Sequence, residues 1–353
     1  DRHCAILAQE SHESETILVL NSEHSIDDVA AEHGFAGVVR IDVDGATVVT
    51  RAYGLADRAH EVPNRTDTVF ALASGAKTFT ALTVMSLIED GTIALATRAR
   101  DLLGEDLPLI DDTVTVEQLL SHRSGIGDYF EEDDHASITD YAMPVPVHRL
   151  AATEDYLAVL DGHPAWFSPG THFSYCNSGY VVLALLAERA AATPFPDLVD
   201  QRVCRPAGLE STAFRRTDEL DGDTAIGYLQ ATGLRTNALH LPVMGSGDGG
   251  IFSTAEDIHR LWQAFWGGAV VSLGAVASMT TPHDGGNDPD RAYGLGFWLS
   301  PSSRAVRSEG YDAGVSFRSI SHPDGRVTCT VISNWSDGAW PMSRHVEEIV
   351  GRE

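Results

Sequence analysis

Lysine is almost missing from this 353-residue chain. Of its 24 basic residues one is lysine, Lys77, and the rest are arginine. Positive charge is scarce altogether: 51 acidic residues outweigh the 24 basic ones and set a formal charge of −27. That balance excludes a nucleic-acid binder, which needs a basic footprint. It reads as a solvated acidic surface. Long apolar runs are missing too. Stretches such as Val181–Leu186 have core-helix length, far from the roughly 20 residues that span a bilayer, so no membrane span is expected. The four cysteines, Cys4, Cys176, Cys204 and Cys329, form no CxxC or CxxH pair, which leaves a zinc site unsupported. Free thiols favour a cytoplasmic over a secreted setting, although four cysteines also suffice for two disulfides.

The lone lysine carries information because arginine replaces lysine at a surface almost anywhere. Arginine cannot release its proton near neutral pH, whereas a desolvated lysine can. A chain that otherwise uses arginine and keeps one lysine points to a titratable amine at that position. The competing explanation is codon bias with one chance survivor, and the neighbours of Lys77 argue against it.

Along the chain, residues 1–27 are polar and weakly patterned and read as a peripheral N-terminal extension. Gly37–Val43 and Ala46–Ala52 alternate around Asp44-Gly45, a type I′ hairpin signal. Thr68–Ala71 is strand-like. Phe79, Leu82, Met85 and Ile88 then recur at helical spacing, and Gly91 closes that helix. The middle of the chain reads as helices and long loops, clearest at Tyr156–Leu160 and Val181–Ala191. Thr254 followed by Asp257 marks the start of a helix that runs on from Ile258 to Trp266. Strands return at Tyr293–Leu299, Ala305–Asp312, Val315–Ser321 and Arg326–Asn334, before a last helix at Ser343–Val350. Short turns between neighbouring strands predict antiparallel pairing. The expected architecture is an α/β (α+β) fold with two lobes. Residues 28–95 and 245–353 form an antiparallel β-sheet lobe flanked by helices, and residues 96–244 form an inserted, mainly helical lobe.

Two segments carry chemistry. In Ser74-Gly-Ala-Lys77, at a helix start, residues three apart share a face, so the amine reaches the hydroxyl. A serine is a poor nucleophile until a neighbour takes its proton, and the helix N-terminus adds a positive field. The motif alone is common, and an N-capping serine beside a solvated lysine would explain it. The apolar neighbours Phe70, Ala71, Leu72, Ala73 and Phe79 argue for a buried pair instead. The second segment is Tyr175-Cys-Asn177, behind the loop Ser168-Pro-Gly170. A phenol near an ammonium is acidified and shuttles protons. An asparagine supplies a donor and an acceptor to the lysine and to a substrate carbonyl. In isolation Tyr175 would read as a packing residue.

Together these segments resemble the penicillin-recognising serine enzymes, the superfamily of class C β-lactamases, DD-peptidases, family VIII esterases and D-aminopeptidases. Leu119-Leu-Ser-His-Arg-Ser-Gly125, Gly249-Gly-Ile-Phe-Ser-Thr-Ala-Glu-Asp257 and Tyr293-Gly-Leu-Gly-Phe-Trp298 resemble further segments of the same branch. The resemblance covers roughly residues 28–350. It implies a β-lactamase/transpeptidase-like fold with the site between the lobes, and a serine hydrolase that attacks an ester, amide or peptide carbonyl through an acyl-enzyme. Ser74 is the implied nucleophile and Lys77 with Tyr175 the base and acid. Asn177, Glu309, Gly310 and Tyr311 are the implied substrate-binding residues, the Tyr311 amide being the second oxyanion donor. A D-amino-acid peptidase or DD-carboxypeptidase is the alternative within enzymes, and a non-catalytic or weakly catalytic binding or sensor protein using the same pocket the alternative outside them. No cofactor or metal is required, and the expected partner is a small-molecule or short-peptide substrate.

The third motif departs from that pattern. Where the superfamily carries Lys-Thr-Gly or His-x-Gly, this chain has Ser308-Glu309-Gly310. Gly310 lets the strand pass close to substrate. The cation that holds the carboxylate of β-lactams and of D-Ala-D-Ala peptides is replaced by Ser308, which argues against both substrates and for an esterase or amidase over a β-lactamase. Glu309 would repel a carboxylate and attract an amine, unless it faces solvent. Arg304 and Arg307 are the nearby candidates to restore positive charge, and strand alternation leaves their direction open. Gly245-Ser-Gly247-Asp-Gly249-Gly250 matches a dinucleotide-binding pattern without its βαβ context and reads as a turn. The run His122, Asp128, Glu131, Glu132, Asp133, Asp134 and His135 lacks ligand spacing and reads as a solvated acidic loop, with His122 structural.

Overall fold

The structure, a computed structural model, describes residues 23–130, 137–283, 291–323 and 325–350. Helix α1 (Glu23–His33) leads into the hairpin β1 (Gly37–Val43) and β2 (Ala46–Tyr53). Asp44 and Gly45 both take positive φ, 51° and 78°, which is the type I′ geometry their sequence predicts. A small pair, β3 (Leu55–Asp57) and β4 (Val62–Pro63), precedes β5 (Phe70–Ala71) and helix α2 (Ala76–Glu89). The helical middle contains α3 (Val116–Leu120) and α4 (Asn177–Ala191). It ends at β6 (Ala213–Phe214), which joins β7 (Ile251–Ser253) and β5 in a three-stranded sheet. Helix α5 (Ala255–Trp266) follows, then β8 (Ala292–Tyr293), β9 (Trp298–Ser300), β10 (Ala305–Asp312), β11 (Val315–Ser321), β12 (Val327–Ser333) and α6 (Ala339–Val350).

The main sheet has seven antiparallel strands in the order β2-β1-β12-β11-β10-β9-β8. The N-terminal hairpin therefore completes the sheet built by the C-terminal strands. Alternation along β1 divides the layers. Val39, Ile41 and Val43 pack with Ile26 of α1 and with Met342 and Val346 of α6. Arg40 and Asp42 face α5 on the other side, through Glu256 and His259. Residue 27, the expected end of the peripheral extension, falls within α1. Its neighbour Ile26 is fully buried, so the helix is part of the core from Ile26 onward.

Two readings of the strands and helices change. The strand expected over Tyr293–Leu299 is broken, because Gly294–Phe297 forms a turn between β8 and β9 in which Gly294 donates to the Phe297 carbonyl. The helix expected from Val181 begins at Asn177. Its N-terminus is capped from a distant loop: the Asp128 carboxylate accepts from the Asn177 and Ser178 amides, 2.6 and 2.8 Å. No local capping pattern marks such a start.

Helix α2 lies at the centre. Every residue from Ala76 to Met85 is buried, which fits a helix enclosed on all sides. The turn before it is set from below by Phe317 of β11, which lies so close to Gly75 that a Cβ there would sit 2.7 Å from the ring. Truncating a buried phenylalanine of this kind costs about 3–5 kcal/mol.

Candidate active site

Ser74 sits in a single 3-10 turn, Ala73–Gly75, that runs directly into α2. Ala73 holds φ at 47°, a left-handed conformation that costs a non-glycine residue energy and is kept only where its surroundings impose it. Ser74 is the partly exposed residue of this turn, between buried Ala73 and Gly75. Lys77, one turn on, is 2% exposed. Its Nζ donates to Ser74 Oγ at 2.9 Å, to Asn177 Oδ1 at 2.8 Å and to the Asp248 carbonyl at 2.9 Å. Three ammonium protons thus meet three neutral acceptors. The amine also lies 4.9 Å from the centre of the Tyr175 ring. The four residues expected from the first two motifs are therefore brought together.

Tyr175 is fixed by an aromatic frame. It stacks on Trp298, 5.9 Å apart at 15°, and lies 4.5 Å from the His122 ring. His122 also binds the backbone on both sides of Tyr175: its carbonyl accepts from the Ser174 amide and its Nδ1 from the Cys176 amide, 2.9 and 3.1 Å. Burial holds the His122 pKa well below the usual histidine value, and the Lys77 charge acts in the same direction. A neutral ring is what the accepting Nδ1 requires.

Strand β10 borders the turn from the other side. Its pairing to β9 ends at Arg307, so the edge of β10 beyond that point faces the Ser74 turn. A Cβ on Gly310 would meet the Leu72 carbonyl at 2.0 Å and the Ser74 amide at 2.8 Å, so only glycine allows this approach. Ser308 is buried and accepts from Thr78 Oγ1 of α2 at 2.9 Å, a neutral contact where the resemblance implies a cation. Glu309 lines the cleft rather than facing open solvent, and it is ion-paired rather than lone. Its carboxylate receives Arg318 Nε at 3.0 Å, and Arg318 reaches on to Glu347 at 2.8 Å. Tyr311 turns its phenol to Asp337, 2.8 Å away. Arg307 lines the cleft, whereas Arg304 sits exposed in the preceding turn.

Two cavities meet at Ser74. A wide cleft of about 860 Å³ opens past Tyr175, Trp298 and the β10 edge. A narrow pocket of about 50 Å³ lies on the other side, between Tyr129, Tyr156, Asp248 and Phe252. Several residues at these walls escape sequence reasoning. Asp248 lies in the glycine cluster, which is a tight turn: Ser246 donates to the Gly249 carbonyl, and Gly247 presses on Tyr180. Asp128 belongs to the run read as solvated acid, yet it is buried under α4; Glu131–His135 lie outside the described residues. Among the described residues no group of histidine, cysteine, aspartate or glutamate has metal-site geometry, and no helix is long and apolar enough to cross a membrane.

A serine hydrogen-bonded to a buried lysine, between an antiparallel sheet and a helical layer, defines the class of Ser–Lys acyl-transfer hydrolases. The chain belongs to the beta-lactamase family, whose model matches residues 23–349. The crystal structure of a penicillin-binding protein from Bacillus halodurans superposes with a TM-score of 0.85 at 31% identity, over 92% of this chain and 99% of the other. Penicillin-binding protein 4* of Bacillus subtilis (strain 168) is 28% identical over 322 residues, 86% of this chain and 69% of the relative. The D-aminopeptidase of Brucella anthropi is 28% identical over 240 residues, 66% of this chain and 42% of the relative, so the match spans under half of that protein. With an esterase also among the relatives, the chain is a β-lactamase-like serine hydrolase.

Proposed function

We propose that Ser74 is the nucleophile of an esterase or amide hydrolase, with Lys77 and Tyr175 moving the protons. The observation that carries this is the 2.9 Å contact to Ser74 from a buried Lys77 whose other acceptors are neutral. The substrate carbonyl binds with its oxygen between the amides of Ser74 and Tyr311, where negative charge develops. Lys77, with Tyr175, removes the Ser74 proton as Oγ bonds to the carbonyl carbon. The tetrahedral adduct collapses, the bond to the leaving group breaks, and Tyr175 or Lys77 returns the proton to that group. Water then attacks the acyl-enzyme through the same pair and frees Ser74. Asn177 orients Lys77. The site lies between the sheet lobe, residues 28–95 and 245–353, and the helical lobe, residues 96–244.

Ester and amide substrates suit this site better than β-lactams, because the third-motif cation is replaced by the neutral, buried Ser308. The D-aminopeptidase relative lends support to D-configured substrates. Cys176, Cys204 and Cys329, all buried and free, support a cytoplasmic setting. The test is incubation with p-nitrophenyl esters, D-amino-acid p-nitroanilides and nitrocefin, read by release of chromophore and by intact-protein mass. Ser74→Ala is expected to lose the acyl adduct and at least about 1000-fold in rate. Full activity in that variant would sink the mechanism, and fast nitrocefin turnover would overturn the inference from Ser308.

A further inference from the structure

The charges around Ser74 divide by side. Ser74, Phe130, Asn177 and Tyr311 line both cavities, so the scissile carbonyl sits where the two meet. Tyr175 lines the wide cleft and not the narrow pocket. With Tyr175 rather than Lys77 as the proton donor, which must stand beside the leaving atom, the leaving group occupies the wide cleft and the acyl part the narrow pocket.

The charged residues lining the narrow pocket are both acids, Asp248 and Asp312. Asp248 is 8% exposed and one of its oxygens receives the Tyr129 hydroxyl. The wide cleft has the opposite bias. Of its acids, Asp128 is spent on the start of α4 and Glu309 on Arg318. That leaves Arg291, stacked on Trp298 at 4.4 Å, and Arg307, whose buried Nε has no hydrogen-bond partner. Neither makes an ion pair among the described residues. Among the described residues three arginines and two acids line this cleft, which stands out in a chain of net charge −27.

Resting on the Ser74 reading, we propose that the substrate is a free dipeptide. Its α-ammonium lies against Asp248 in the narrow pocket, and its terminal carboxylate lies against Arg307 and Arg291 in the wide cleft. The covalent spacing fits this order: an α-ammonium is one carbon from the attacked carbonyl, and the carboxylate is one carbon beyond the leaving nitrogen. Ser74 Oγ bonds to the carbonyl carbon, the C–N bond breaks, and the second residue leaves as an amine carrying the transferred proton. Water releases the first residue, and the products are two amino acids. Burial raises the Asp248 pKa, which the Lys77 charge and the Tyr129 hydrogen bond oppose; an arriving ammonium adds to that opposition.

The test is a panel of Ala-Ala, N-acetyl-Ala-Ala, Ala-Ala-amide and N-acetyl-Ala-amide, in D,D and L,L forms, on the whole chain. The free dipeptide is expected to be the best substrate by kcat/KM, with a loss of about 10- to 100-fold when either charge is removed. Asp248→Asn should collapse the ratio of free-amine to acetyl substrate. Arg307→Gln should collapse the ratio of free-carboxylate to amide substrate. Each variant should spare the other ratio, which a folding defect would not do. Equal turnover of acetylated and free dipeptides, or of amide and acid, overturns the proposal. If p-nitrophenyl acetate still acylates Ser74 in that case, the serine-hydrolase mechanism survives without it. If no probe acylates Ser74, both fail.

Discussion

Two buried cations in this molecule are held in opposite ways. Arg40 on β1 is 8% exposed and locked by carboxylates: Nε meets Asp42 at 2.9 Å, Nη1 meets Glu256, and Nη2 donates to Thr47. His259 adds a further contact to Asp42 at 3.0 Å. Lys77 is more deeply buried, and all three of its hydrogen bonds go to neutral oxygens. Removing charge at Arg40 breaks ion pairs with buried Asp42 and part-exposed Glu256. Moving a proton off Lys77 breaks no ion pair among the described residues, although buried Asp248 feels its charge. A structural cation is matched by counter-charge because an unpaired buried charge is costly. A cation meant to exchange its proton is cradled by dipoles instead. The composition agrees: arginine, which stays charged, fills the structural position, and the lone lysine fills the exchanging one.

Exchanging the two roles breaks the comparison most sharply. Lys77→Arg keeps a positive charge beside Ser74 but removes a group able to release a proton. It should cost about 1000-fold or more in acylation rate, measured by stopped-flow with a chromogenic ester. A variant within tenfold of the native rate would show that Lys77 serves only as a charge. Arg40→Met makes the complementary cut. Among the described residues it leaves buried Asp42 with only His259, and Glu256 with only Arg260, as ion-pair partner. It should lower stability by about 3 kcal/mol, read from urea denaturation, while the kcat of the folded fraction holds. An unchanged unfolding midpoint would remove the contrast. Asn177→Asp turns the neutral cradle of Lys77 into one of the Arg40 kind. A carboxylate 2.8 Å from Nζ pins the ammonium, and kcat should drop about 10- to 100-fold with little change in KM.

How much of this was legible in the sequence depends on distance along the chain. Ser74 and Lys77 are three residues apart, and the backbone alone brings them together. The I′ hairpin, the Thr254 cap of α5 and the strands β10 and β11 are local too, and their boundaries agree with the expected ones to within a residue or two. The misread parts depend on contacts from far away. Asp128 looked like one acid in an exposed run, and it caps a helix 49 residues on. Asp248 sat in a glycine-rich turn, whose pattern says that the chain bends and not what the bend presents. Glu309 was read as a lone charge because its partner, Arg318, becomes a neighbour only through the β10–β11 register. Arg307 and Ser308 show the same limit: alternation puts adjacent residues on opposite faces, and only the neighbouring elements decide which face is the cleft.

His122 sharpens the comparison from a third direction, since it is a buried base held neutral rather than charged. Its folded pKa is depressed by burial, and then by Lys77. An unfolded histidine titrates near about 6.5. Below that pH the unfolded chain binds a proton that the folded chain refuses, so folding grows less favourable as pH falls. The contribution is fully present above about pH 6.5 and declines by at most about 1.4 kcal/mol per pH unit below it. His122→Gln keeps an acceptor for the Cys176 amide and removes the titration. Its stability relative to the native chain should therefore hold constant above pH 7 and improve toward pH 5 by at most about 2 kcal/mol, measured by urea denaturation across that range. Parallel stability curves would mean that His122 does not resist protonation. The backbone clamp on either side of Tyr175 would then tolerate a charged ring, and neutrality would cease to be part of how the Tyr175 loop is held.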